Sequence, residues 1–89
     1  MNIRRQTALA FGIAEWASAL DHLSALQQVG ERCPVWIRKR IENEIRALVR
    51  MWPGVQELPK RDRAPLVIAR ARRWLAEHPD ELEDVLRNR

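Results

Sequence analysis

Tyrosine is absent from this chain, and Phe, Thr and Cys each occur once. A sequence so short of β-branched threonine and of aromatics other than Trp is a poor strand former; its abundant Ala, Leu and Arg favour helix. The single Cys33 excludes an intramolecular disulfide, which suits a reducing compartment, and we expect a cytoplasmic protein. Two His and one Cys, far apart in the chain, offer no metal-ligand spacing. Three isolated glycines cannot form a phosphate-cradling loop. No metal, no cofactor and no catalytic constellation is therefore expected, and we read the chain as non-enzymatic. Nor does any apolar run approach the ~18 residues that read as a membrane span. The opening "MNIRRQTALAFGIAEWASAL" imitates a secretory signal, with Arg4, Arg5 and an Ala17-Ser18-Ala19 site, but its apolar run is short and ends at Glu15 and Trp16.

What is present is charge and helical periodicity in 89 residues, the length of one domain, which we place at residues 1–89. A chain this short buries only roughly 60–65% of its unfolded surface, and small chains often compensate by oligomerising. The 16 basic side chains outnumber the 12 acidic ones, for a net charge of +4. They are unevenly placed. Residues 30–52 carry six cations against three acids, and residues 60–73 carry six against Asp62 alone. Residues 74–89 reverse this, with two cations against five acids. The chain is basic in its middle and acidic near its end.

Pro and Gly divide the sequence into four helical pieces. The first is expected from about Gln6 to Val29, with Leu9, Ile13, Trp16, Leu20 and Leu23 on one side. The second runs from about Pro34 to Trp52 on Ile37, Ile41, Ile45, Leu48 and Trp52, and Pro53 ends it. The third starts near Asp62 to Ala64 and continues to about Glu77, burying Val67, Ile68, Ala71, Trp74 and Leu75. A short fourth helix, about Asp80 to Arg87, follows the His78-Pro79 break and docks through Leu82, Val85 and Leu86. The expected fold is all-α: a small bundle of three main helices plus a short C-terminal one.

The second helix presents two faces. Trp36, Lys39, Asn43, Arg46 and Arg50 share a sector of about 80° opposite its Ile/Leu stripe, with Arg40 beside them. Such a ridge can dock on an acidic protein surface or follow a phosphate backbone. Against this, Glu42 with Arg46 and Arg40 with Glu44 are spaced for ordinary i,i+4 pairing, and Trp36 can fold under the Gly30–Pro34 joint. In "KRDRAPLVIARARR", Lys60, Arg61 and Arg63 precede the third helix and Arg70 and Arg73 project from it. Pairing of Arg73 with Glu77, or neutralisation by the acidic tail, would silence this second cluster.

A helix-turn-helix is excluded by the roughly ten-residue connection between the second and third helices, where that motif needs three or four. The first helix carries Phe11, Ala14 and Ser18 away from its main stripe, which implies either a central helix covered on two sides or a homodimer seam. The expected function is a regulatory protein that docks on an acidic protein partner and modulates or blocks it. Trp36, Lys39, Arg40, Asn43, Arg46 and Arg50 would carry the interaction, with Arg70 and Arg73 in support. The alternative is a nucleic-acid-binding regulator that uses the same face.

Overall fold

The computed structural model describes residues 2–88 and contains four α-helices: α1 (Ile3–Gln28), α2 (Val35–Arg50), α3 (Arg63–Glu77) and α4 (Pro79–Arg87). Two 3-10 turns, Val55–Glu57 and Lys60–Asp62, bridge α2 and α3. Among the described residues there is no strand, and the all-α bundle expected from composition is the fold found.

Helix α1 begins three residues earlier than periodicity suggests. Asn2 caps it, its side-chain oxygen accepting from the Arg4 backbone N–H at 2.9 Å. Gly30, at φ 83°, then turns the chain after Val29. Pro34 occupies the cap position of α2 and not its first turn, so the helix proper starts at Val35. Pro79 does take the first helical position of α4, where its missing N–H has no partner to lose.

α1 is the central helix and packs against each of the other three. Its most buried line is Thr7, Ala10, Ile13 and Ala17, rotated from the expected Leu/Trp stripe, of which Ile13 alone is fully buried. Leu9, Trp16, Leu20 and Leu23 flank this line and are half-buried. The small side chains allow close helix approach, so they occupy the centre while the larger ones fill the margins. Gly12 shows how close this is: a Cβ there would lie 3.5 Å from Leu48 Cδ1 of α2.

The core is completed by Ile41, Ile45 and Val49 of α2, Trp52 and Val55 after it, and Val67 and Ala71 of α3. Ile37 and Leu48 lie at its edge, and Val49, outside the expected stripe, is buried in their stead. In α4 Leu82 and Val85 are half-buried, but Leu86 is 43% exposed and does not dock as expected. Cleavage at the signal-like Ala17–Ala19 stretch would remove Ala10, Ile13 and Ala17 from this core. No helix among the described residues is long and apolar enough to cross a membrane.

Candidate functional site: a basic ridge that continues into a groove

The outer face of α2 is open. Trp36 is 65% exposed, so it does not fold under the α1–α2 joint, and Lys39, Arg40, Asn43, Arg46 and Arg50 are exposed with it. The same helix buries Ile41, Ile45 and Val49 on its other side. Val35, next to Trp36 in the chain, is also exposed, at 79%, so the start of the ridge carries apolar groups ahead of its cations.

The i,i+4 pairings that would neutralise the ridge do not form. Glu42 turns to Arg38, at a loose 3.9 Å, and not to Arg46. Arg38 is held in addition by Ser24 Oγ and Gln27 Oε1 of α1, at 2.9 and 2.8 Å, so it belongs to the α1–α2 joint. The other ion pairs between described residues are Arg72–Asp21 at 3.0 Å and Arg87–Glu83 at 3.2 Å. Arg73 is not paired with Glu77, and Arg40 is not paired with Glu44.

At its C-terminal end the ridge meets the second basic cluster. Arg46, Val49 and Arg50 of α2 face Lys60, Arg61, Arg63 and Ala64 across a groove of about 450 Å³. The chain folds back here for identifiable reasons. Trp52 and Val55 are both buried and pin the start of the connection, and Gly54, at φ 77°, makes the turn between them. Arg63 then fastens the end of the connection. Its Nε donates to the Leu58 carbonyl at 3.1 Å, and its Nη2 to that of Gln56 at 3.4 Å.

No carboxylate lines this groove. Arg46, Arg50, Lys60 and Arg61 form no ion pair with a described residue, and Arg63 bonds only to neutral carbonyls. Asp62, between two of these cations in sequence, is exposed but does not line it. Acids stand in the adjoining hollows: Glu57 shares one with Arg50, and Glu42 shares another with Arg46. Five positive side chains around one depression create a field that concentrates anions.

The acidic tail is elsewhere. α3 rises about 22 Å over its 15 residues, and α4 starts at its far end. There Val85 of α4 and its capping residue Asn88 lie with Arg4, Arg5 and Ala8 of α1 and its cap Asn2. The tail therefore stands at the opposite end of α3 from the groove. Arg70 and Arg73, expected to support the ridge, are exposed farther along α3 and do not line the groove. Lys60, Arg61 and Arg63, recognised in the sequence only as a dense cluster, occupy that place; the signal for them was the charge density of "KRDR" next to a connection that had to return to α2.

The α1 seam is partly covered. Phe11 and Ala14 are half-buried, and Ser18 is exposed. α4 packs on α1 beside Ala8, one turn before Phe11. The remaining candidate chemistry has structural employment. Cys33 Sγ donates to the Leu23 carbonyl at 3.5 Å, and His78 Nδ1 lies 2.9 Å from the Trp74 carbonyl, as a helix-ending His can. His22 is exposed. Among the described residues no group of three or more His, Cys, Asp or Glu is placed to hold a metal ion.

No protein-family model matches the chain, and no curated protein or solved structure matches it.

Proposed function

We propose that this protein is a non-enzymatic regulator that docks on an acidic protein through the α2 ridge and the groove at its end. It modulates or blocks that partner by covering it. One observation carries the reading: Arg46 and Arg50 share an unpaired cationic groove with Lys60, Arg61 and Arg63, on a helix whose other end exposes Trp36. Arg and Trp are the side chains most enriched at binding hot spots. Cations left without internal partners keep their full attraction for an external one.

A protein partner suits this face better than a nucleic acid. The exposed apolar side chains Val35 and Trp36 at the start of α2 have no counterpart on a phosphate backbone. The acidic α4 elsewhere on the surface also works against indiscriminate binding to polyanions. A cytoplasmic homodimer, with Ser18 and the half-buried Phe11 and Ala14 at its seam, belongs to the same proposal; sedimentation of the purified chain across a concentration series tests it.

The deciding experiment is affinity capture from the native cell with and without nuclease, using the wild-type chain and the Arg46→Glu, Arg50→Glu double variant. Both positions are exposed and unpaired, so the double variant retains its helicity. The expected result is an acidic protein captured regardless of nuclease by the wild type and lost by the variant. Capture that vanishes with nuclease, or that survives in the folded variant, overturns the proposal.

A further inference from the structure

Beside the basic groove lies a second hollow of different chemistry. Leu20 of α1, Ile45 of α2 and Ala64, Pro65 and Ile68 of α3 enclose about 390 Å³, with Glu42 and Arg46 also lining it. Its wall is apolar where three helices converge. Arg46 and Ala64 line both this hollow and the basic groove, so the two are contiguous.

We infer that the two hollows form one composite site for a short segment of an acidic protein, whose apolar side chain enters the Leu20–Ile45–Ile68 hollow while its flanking carboxylates meet Arg46, Arg50, Lys60 and Arg61. This rests on the protein-docking reading above and specifies its ligand. The apolar hollow rewards a desolvated aliphatic or aromatic group, and the groove rewards negative charge next to it. A polyphosphate chain meets the second requirement and not the first, and an unpaired base finds no aromatic ring in the hollow on which to stack. Arg46 is the pivot because it lines both hollows, and an arginine can lay its aliphatic stem along an apolar wall while its guanidinium meets an anion.

Three synthetic peptides test this. The first carries a central Phe-Leu pair flanked on each side by three Glu. The second replaces the central pair by Ala-Ala, and the third replaces every Glu by Gln. Each is titrated into the isotope-labelled full chain at about 50 mM salt, and backbone amide shifts are followed.

The first peptide is expected to shift the amides of Ala64, Ile68 and Arg46 and to bind about tenfold or more tightly than either of the others. Ile68→Trp, which fills the hollow at a position that does not line the groove, is expected to erase the preference for Phe-Leu over Ala-Ala while leaving the preference for Glu over Gln. Pro65→Trp, an uncharged change at an exposed position on the same rim, is expected to do likewise and serves should Ile68→Trp fail to fold.

Equal binding of the Phe-Leu and Ala-Ala peptides overturns the composite site and leaves acidic docking standing. Equal binding of the Glu and Gln peptides, or no binding by any of them at millimolar concentration, also overturns it, and the capture experiment with the Arg46, Arg50 variant then judges the broader reading independently. Sedimentation of the unliganded chain is the remaining arm. Self-association abolished by Ile68→Trp identifies a second copy as the occupant and overturns the proposal.

Discussion

The Trp74 indole N–H donates to Thr7 Oγ1 at 2.9 Å, tying the C-terminal end of α3 to the N-terminal part of α1. Thr7 is fully buried, and its hydroxyl donates in turn to the Ile3 carbonyl at 2.9 Å. The indole is also covered by the His78 ring, stacked on it at 3.9 Å between centroids. The only threonine of the chain thus gives the part-buried indole N–H its partner at the helix junction.

Thr7→Val keeps the shape and removes the acceptor. The expected cost is about 0.5–1.5 kcal/mol, the net contribution of a typical hydrogen bond, because the donor is only part-buried. For a domain of this size each kcal/mol lowers Tm by about 4–8 °C. In the Val background Trp74→Phe should cost less than in the wild type, because the orphaned N–H is gone. Thermal unfolding of the four chains, followed by circular dichroism, reads the cycle. A neutral Thr7→Val would show that the bond contributes nothing.

Glycines offer a test of opposite signs. At Gly12, inside α1, a new Cβ would meet Leu48 Cδ1 at 3.5 Å, ordinary van der Waals contact. Gly12→Ala is therefore expected to stabilise by about 0.5–1 kcal/mol through reduced chain entropy. Gly54 sits at φ 77°, where a side chain is strained whatever the space. Gly54→Ala is expected to destabilise by about 1 kcal/mol. It should also loosen the return that brings Lys60 and Arg61 to Arg50. Denaturant midpoints of the two variants should move in opposite directions, and a shared direction refutes the assignment.

The unpaired groove predicts the sign of the salt response. Like charges gathered by folding repel, and screening relieves that repulsion. Raising salt from about 20 to 200 mM is expected to increase the wild-type Tm. Arg46→Gln with Arg50→Gln should raise the low-salt Tm and flatten the slope. The Arg72–Asp21 pair pulls the other way, but with side chains 50% and 71% exposed it contributes under about 1 kcal/mol. A wild-type Tm that falls with added salt would mean that attractive pairs dominate the folded state.

Legibility of these features in the sequence followed their physical range. The α2 ridge could be read because a 3.6-residue period fixes which side chains share a face once Ile41 and Ile45 are buried. The core line of α1 could not. Hydrophobicity favours Leu9, Trp16, Leu20 and Leu23, whereas the centre of a helix touched by three neighbours goes to the side chains small enough to permit it, Ala10 and Ala17 among them. The i,i+4 pairing of Glu42 failed because α1 holds Arg38 beside it through Ser24 and Gln27, a tertiary effect invisible to local spacing. The groove likewise depends on how the connection closes. Trp52 and Val55 decide that by burial, and Arg63 by bonding to two carbonyls that no linear pattern pairs with it.

Trp36 and Trp52 stand at the two ends of α2 and should behave as opposites. Trp52 is 6% exposed and packs in the core, so Trp52→Ala is expected to cost about 3–5 kcal/mol, enough to threaten folding of so small a chain. Trp36 is 65% exposed, and Trp36→Ala should change stability by no more than about 0.5 kcal/mol. Retaining a large apolar ring in water has no folding benefit, so its value must be read elsewhere. Its removal is expected to weaken capture of the proposed acidic partner by about tenfold or more, as loss of an interfacial Trp does. Acrylamide quenching provides an independent check: Trp36→Ala should remove the most accessible part of the fluorescence and leave the shielded remainder. A Trp36→Ala chain that loses stability, or that captures the partner as well as the wild type does, would show that the ridge ends at Lys39 and that its apolar tip has no part in docking.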